Sequence, residues 1–471
     1  MVWDFVEINP FSNSVGNFTN HIDWVTSGLE SLQSITQENL AKQVDATNLD
    51  TAFPIKKIIS TDPPYYDNIG YADLSDFFYI WLRSSLGKYY KDLFSTLLVP
   101  KKQELIATPF RFDGDRNKAN DFFENGLRKV FSSINQYSES DYPTTIYYAF
   151  KQSESDENSD EDNQPDSRVS TGWETMLEGL LSSNFEITGT WPIRTEREAR
   201  SVGIGTNALA SSIVLVCRPR QQDAPSSSRR EFLSALKKEL SPALRELQQG
   251  SIAPVDLAQA SIGPGMAIYS RYSAVLEADG KPMSVRTALT LINQALDEFL
   301  AEQEGEYDGD TRWALTWFEQ YGHNEAAYGV AETLSRAKNT SVEGLSEAGI
   351  VEARGGKVRL LQISEIAKTS EVSKTSEVWD PRKDKRLTAW ESAAHLIYAL
   401  ENGGEESAAG LLAKLGPVAE VARDLAYRLY TVCERKGWSQ DALGYNMLVV
   451  AWPRLKELAA RRVEPGQGKL M

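Results

Sequence analysis

The sequence predicts an α/β protein: an open sheet in the first half of the chain, then a mostly α-helical second half. Three observations carry this. Short β-rich runs alternate with amphipathic stretches through the first half. The apolar periodicity then becomes helical and stays so. Between them lies a polar linker, Gln221 to Ser228 (QQDAPSSS). The expected domains are therefore 1–222 and 223–471, and 471 residues suffice for two to three domains with a sizeable core.

Lys57-Ile58-Ile59-Ser60-Thr61 is an apolar run entering the turn Asp62-Pro63-Pro64-Tyr65, the pattern of a buried parallel strand. A helix follows, with Leu74, Phe77, Phe78, Trp81 and Leu82 on one face. Thr144 to Phe150 (TTIYYAF) reads as a strand and Thr171 to Ser182 as a helix. Phe185 to Pro192 and Ser212 to Arg218 read as two further strands. Ser153 to Arg168 (SESDENSDEDNQPDSR) is acidic and almost without apolar residues, so it reads as a disordered surface loop within the first domain. In the second half, helices are expected at Arg286 to Gln303, Thr311 to Tyr321, Thr388 to Leu400, Pro417 to Arg435 and Asp441 to Ala460. Ala337 to Ala348 reads as a helix, followed by two short β runs around Gly355-Gly356, a hairpin signal. Helix and hairpin together are either a winged-helix element or a hairpin capping a bundle. Lys368 to Val372 (KTSEV) recurs at Lys374 to Val378, a local duplication in a loop.

Composition narrows the function classes. The formal net charge of −16 argues against a chain that coats nucleic acid non-specifically, while leaving room for a local basic face. No run of 18 apolar residues exists, so no membrane-spanning helix is expected. The start Met1-Val2-Trp3-Asp4-Phe5 lacks the features of a signal peptide. Two cysteines, Cys217 and Cys433, are too few for a disulfide framework or a zinc ribbon, and the expected compartment is a reducing cytoplasm. His21, His323 and His395 are scattered without ligand spacing, and no metal is expected. Trp313 and Trp317, four apart on a helix, are expected in the core.

The chemistry is carried by Asp62-Pro63-Pro64-Tyr65. The carboxyl end of a strand in an open α/β sheet is where ligands bind. Two prolines fix the backbone and remove two amide donors, leaving rigid carbonyl acceptors. Asp62 adds a carboxylate, and a cluster of acceptors suits an amino group with two hydrogens to donate. Tyr65 supplies a flat face for stacking a base. These features fit the exocyclic amine of a nucleobase extruded from the duplex. Acceptors at Asp62 and the Pro63 carbonyl would hold both N6 hydrogens of adenine and expose the nitrogen lone pair, with stabilisation by positioned dipoles and proximity. The plainer alternative is a proline-rich turn after a strand.

Asp62 to Tyr65 resembles motif IV of the amino-group DNA methyltransferases. The wider stretch Thr61 to Leu82 (TDPPYYDNIGYADLSDFFYIWL) resembles one group of them: the large bacterial and archaeal adenine-specific DNA methylases whose full-length members carry a zinc ribbon and an N-terminal domain of unknown function. Met1 to Gly16, Gly203 to Arg218, Gly263 to Leu276, Ala337 to Gly349 and Arg423 to Trp438 are similar as well. The resemblance implies a partial Rossmann-like class I methyltransferase sheet, the catalytic half, followed by a helical region that helps choose the DNA site or docks a partner. It implies S-adenosylmethionine as cofactor, DNA as substrate, and a place in restriction-modification or phage defence. Asp62, Pro63, Pro64 and Tyr65 would hold and stack the target adenine, with Tyr66 beside them. Asp62 favours adenine N6 over cytosine N4, since the cytosine enzymes often carry serine there. Asp45 would contact the adenine of the cofactor. The family's glycine-rich cofactor loop and its zinc ribbon lie upstream of the segment matching Met1. Gly203-Ile204-Gly205 and Gly263-Pro264-Gly265 are closely spaced glycines here, and neither follows a first strand. The missing half would then come from another, upstream-encoded polypeptide.

Arg194, Arg197 and Arg200 lie between the last two expected strands, where they would contact DNA phosphates; the alternative is a solvated loop of Arg–Glu pairs. Lys88, Lys91, Lys101 and Lys102 flank Tyr89, Tyr90 and Phe94, a pattern of single-strand binders or, more simply, of solvated lysines on a covering helix. Two functions remain: an adenine-specific DNA methyltransferase or its catalytic portion, and an inactive remnant or partner-dependent DNA-binding and assembly subunit.

Overall fold

Asn17 opens the first helix, α1 (Phe18–Ser31), its side-chain oxygen accepting the Asn20 N–H at 2.8 Å. The computed structural model describes residues 9, 11–12, 17–31, 42–49, 56–64, 66, 69–148, 171–194, 211–371 and 379–463. The chain divides into two units, 1–44 and 45–471. In the first, no residue of α1 is buried.

The second unit is mixed α/β. Its first elements are β1 (Ser60–Thr61), α2 (Tyr71–Leu86), α3 (Arg116–Tyr137), β2 (Thr144–Tyr148), α4 (Thr171–Ser182), β3 (Phe185–Arg194) and β4 (Ser211–Pro219). The sheet order is β1-β2-β4-β3. β1 runs parallel to β2, while β4 lies antiparallel to both β2 and β3. Alternation places Thr144, Ile146 and Tyr148 in the core. Helix α3, which the strand-centred reading of the sequence passed over, backs the sheet with Phe123, Leu127, Phe131 and Ile134, all buried at helical spacing.

Two expectations need correcting. β1 is parallel, as its apolar run suggested, but among the described residues it is the terminal strand and not a buried one: Ile58 just ahead of it is 64% exposed. α2 is present, yet its expected core face is turned outward. Phe77, Phe78 and Trp81 are 67%, 63% and 68% exposed, and the opposite face buries only Ala72 and Tyr79. The inner face is held by charge and hydrogen bonds to residues 93–111, described below.

The chain continues with β5 (Ser227–Ser228), α5 (Arg229–Gln249), α6 (Pro254–Ser270), β6 (Val275–Leu276) and α7 (Val285–Glu302). Ser228 and Glu231 close a capping box at the start of α5. α6 is buried almost all round and lies on the sheet: the Ile187 N–H donates to Ser270 Oγ at 2.9 Å. A Cβ at Gly263 would stand 2.2 Å from the Thr190 side chain, and one at Gly265 would stand 2.5 Å from Ile292. These glycines therefore let α6 approach β3 and α7. The expected junction at 222–223 is crossed by this packing, and one hydrophobic core runs from Leu49 to Ala459.

The remaining elements are α8 (Gly309–Tyr321), β7 (Ala326–Ala327), α9 (Tyr328–Ala337), α10 (Val342–Glu347), β8 (Val351–Arg354), β9 (Lys357–Leu360), α11 (Ile363–Glu371), α12 (Ala389–Leu415, interrupted at Gly404), α13 (Val418–Lys436) and α14 (Ser439–Val463). β8 and β9 form the expected hairpin. Gly355 and Gly356 at its tip have φ of +62° and +77°, which a two-residue turn with left-handed backbone requires. β7 pairs on the other side of β9. α12, α13 and α14 pack against one another as a bundle. Trp313 and Trp317 stack at 4.9 Å, fully buried. The second KTSEV copy and the acidic stretch 153–168 lie outside the described residues. Among the described residues, no helix is long and apolar enough to cross a membrane.

Candidate functional site

The tetrapeptide sits where β1 leaves the sheet. The Lys57 N–H donates to the Tyr137 carbonyl at 2.8 Å, the Glu139 N–H to Lys57 at 3.0 Å, and the Thr145 N–H to Ile59 at 3.0 Å. This ladder anchors the strand up to Thr61. Beyond it, Asp62 is exposed, Pro63 is buried and Pro64 is exposed. Tyr65 lies outside the described residues. The loop is anchored again at Tyr66, whose carbonyl accepts the Ala107 N–H at 2.8 Å. The Asp62 carboxylate is thus presented to solvent from a backbone pinned on both sides and stiffened by two prolines.

Tyr66, expected beside the DNA, is placed in the core. Its ring is buried and meets Phe123 edge-on, with centroids 5.1 Å apart. The apolar face of α3 needs cover at that point, and an aromatic ring supplies more buried area there than it would in water.

Asp45 closes a turn. Its Oδ1 accepts the Thr47 N–H at 2.8 Å and the Thr47 hydroxyl at 2.7 Å, and its carbonyl accepts the Asn48 N–H at 3.0 Å. The Thr47 hydroxyl and amide, with Lys129 adding its charge, hold this carboxyl below the usual range, against a small opposing effect of burial. The turn delivers Leu49 to the core. Among the described residues, no hydrogen bond joins Asp45 to the tetrapeptide. Arg194 ends β3, paired with Ser211. Arg197, Arg200, Gly203 and Gly205 lie outside the described residues.

Sequence reasoning missed a charged clamp behind α2. The Ala72 N–H donates to Glu104 at 3.0 Å, and Arg111 bridges Glu104 at 2.6 Å and Asp73 at 2.8 Å. Asp76 receives Lys101 at 2.6 Å and the Val99 N–H at 2.9 Å, which hold its carboxyl below the usual range. The Tyr79 hydroxyl donates to the Thr96 carbonyl at 3.0 Å. Lys101 is therefore a clamp residue. Its partner lies 25 positions away, so no local pattern announced it.

Three clefts of about 370, 420 and 480 Å³ lie elsewhere: between α5 and α7, between α10 and β8, and between β3 and α6. Their linings include no residue of the tetrapeptide. The succession α8, β7, α9, α10 and the β8–β9 hairpin is that of a winged helix, but its charge is largely paired. Lys357 meets Glu325 at 2.9 Å, and Arg359 meets Glu352 and Glu365, each at 2.8 Å. α10 itself exposes Glu343 and Glu347. Cys217 and Cys433 are buried free thiols, and burial pushes Cys217 up to about 12. His323 hydrogen-bonds the Leu360 carbonyl at 3.2 Å, and His395 stacks on Trp379 at 3.9 Å.

Residues 308–470 match a family model described as a domain of unknown function (DUF8807). The match begins at Asp308, the N-cap of α8, and takes in the winged-helix-like unit and the bundle. No curated protein and no solved structure matches the chain.

Proposed function

We propose that this chain supplies the target-base half of an adenine-specific DNA methyltransferase, acting on the N6 amine of adenine in DNA. The observation that carries the reading is the placement of Asp62-Pro63-Pro64 at the carboxyl end of a parallel strand in an open sheet, with the carboxylate free to solvent. Supporting it are the sequence resemblance around this motif and the strand order, in which a parallel pair is continued by an antiparallel one. In this reading Asp62 and the Pro63 carbonyl accept the two N6 hydrogens and turn the nitrogen lone pair outward. The methyl group would pass to this nitrogen as its bond to the donor's sulfonium breaks and the donor leaves as the neutral thioether, and the proton the amine gives up would depart on the Asp62 side. Tyr65 would stack the extruded base.

The described residues do not make a complete site for S-adenosylmethionine. Asp45 is the one residue assigned to it, and one oxygen of that carboxylate is engaged by Thr47. The rest of the donor site would lie outside the described residues, the resemblance implying an upstream-encoded methylase half as one source, and no catalytic step is assigned to donor contacts within this chain. Restriction-modification or phage defence in the cytoplasm is the setting this activity fits. The second reading, a partner-dependent DNA-binding or assembly subunit without catalysis, is favoured by the engaged Asp45 turn and by the buried Tyr66.

The test is transfer of radiolabelled methyl from S-adenosylmethionine to duplex DNA by the chain together with its upstream-encoded partner. Asp62→Ala is expected to lower the rate by about 100-fold or more, the scale of losing a positioned acceptor at the reacting nitrogen. Unchanged transfer in that variant would remove Asp62 from the chemistry.

A further inference from the structure

α2 turns to water the apolar face that a helix of its composition normally buries. Tyr71, Leu74, Phe77, Phe78, Trp81 and Leu82 are all exposed. At these exposures the six side chains offer roughly 700 Å², near the ~800 Å² that each partner contributes to a standard protein interface. The other side of the helix is fixed. Lys101 grips Asp76, and Arg111 grips Glu104, whose carboxylate also receives the Ala72 N–H. The exposed face is therefore held rigid before anything binds it, which lowers the ordering cost of association.

Three features of this face define what fits it. Leu74, Phe77, Phe78 and Trp81 lie within an arc of about 100° on an α-helix, so they form one continuous stripe. Their spacing reads the same from either end of the helix: three positions, one, then three. An identical helix laid antiparallel therefore sets Phe77 against Phe78 of the second copy and Leu74 against Trp81, apolar on apolar along the whole stripe. The ends differ in charge: Asp73 stands exposed in the first turn, and Lys88 and Lys91 stand exposed just beyond the last. Antiparallel pairing brings the acidic end of one helix toward the basic end of the other and opposes the two helix dipoles. Parallel pairing would crowd the lysines together. The four stripe residues carry no charge or hydrogen-bonding pair for a phosphate, so a nucleic-acid backbone gains nothing from them.

We propose that this chain forms a two-fold symmetric dimer through the outward face of α2, the two helices lying antiparallel with Phe77 and Phe78 at the centre. The pairing does not depend on the methyl-transfer reading and stands or falls apart from it.

Sedimentation velocity over a concentration series of the full chain tests this, and a monomer–dimer equilibrium is expected. Phe78→Ser with Trp81→Ser is expected to raise the dimer dissociation constant at least tenfold, with an unchanged circular dichroism spectrum because both side chains are exposed. Cysteine cross-linking then reads the orientation. Both native thiols are buried, so an introduced cysteine is the one that reacts. Leu74→Cys mixed with Trp81→Cys is expected to give a disulfide-linked dimer under copper phenanthroline, and neither variant alone should, since like positions stand about 10 Å apart along an antiparallel pair. A dimer indifferent to the double serine variant overturns the proposal, as does efficient linkage of each cysteine variant to itself. A chain that stays monomeric overturns it as well. Flotation of that monomer with vesicles of phosphatidylcholine and phosphatidylserine, lost in the double variant, would then give the face to a membrane surface, and no flotation would give it to a different polypeptide.

Discussion

The α2 region and the helical region beyond Asp308 are built from similar residues and end in opposite situations. Both carry aromatic side chains at helical spacing. In α8, Trp313, Trp317 and Phe318 are buried, and the Trp313 Nε1–H donates to the Ala331 carbonyl at 3.2 Å. In α2, Phe77, Phe78 and Trp81 are in water. The difference lies in what surrounds each helix. α8 is enclosed by the β7–β9 unit and by α12. α2 is held by side-chain bonds from residues 93–111 on one side only. An aromatic stripe thus states that a helix has something to cover it, without stating whether the cover belongs to the same chain.

The contrast predicts a graded set of stabilities. Trp313→Ala is expected to cost about 3–5 kcal/mol by opening a cavity, whereas Trp81→Ala should change stability by less than about 0.5 kcal/mol in the isolated chain. Urea denaturation of both variants checks this, and equal losses would erase the distinction between the two regions. Next in size is Gly265→Ala, where the new Cβ meets Ile292 at 2.5 Å; overpacking there is expected to cost about 1–3 kcal/mol in the same measurement.

A third contrast is a pH dependence that belongs to the helical region. Burial, with the Asp384 carboxylate nearby, pushes Glu391 from an ordinary 4.5 up to about 9. Asp384 in turn accepts the Trp379 Nε1–H at 3.1 Å, and His395 lies 3.8 Å from Glu391. A raised carboxyl favours the fold fully below its ordinary range, and this contribution is lost as pH climbs through 9. Burial lowers His395 to about 4, so its contribution runs the opposite way and is complete above pH 6.5. Glu391→Gln should therefore melt close to the parent at pH 5 and several degrees above it at pH 8.5, by calorimetry. Identical melting differences at the two pH values would show that Glu391 ionises freely.

Much of the fold could be read from local pattern. The helix expected at 171–182 has the bounds of α4, the Gly355-Gly356 signal became the β8–β9 hairpin, and TTIYY became β2. These elements follow from spacing and turn chemistry that neighbouring residues alone decide. α3 is equally readable, since Phe123, Leu127, Phe131 and Ile134 carry a helical repeat. For the candidate site, the motif and its place after a strand were legible. The fate of Tyr66 was not, because adjacent tyrosines look alike in sequence and packing against Phe123 assigns this one to the core. The packing across 222–223 was not legible either: a polar linker marks a change of composition, whereas α6 returns to lie on β3.

Residue order alone established the diproline turn after a strand, the helical second half, and the absence of a long apolar segment, all of which depend on neighbours within a few positions. Folding in three dimensions settled which face of α2 points outward, that β1 stands at the end of the sheet among the described residues, and that Asp45 closes a turn on Thr47. Those outcomes depend on bonds such as Lys101 to Asp76 and on α3 covering the sheet, where the partners are far apart in sequence and the balance of burial over the whole unit selects the arrangement.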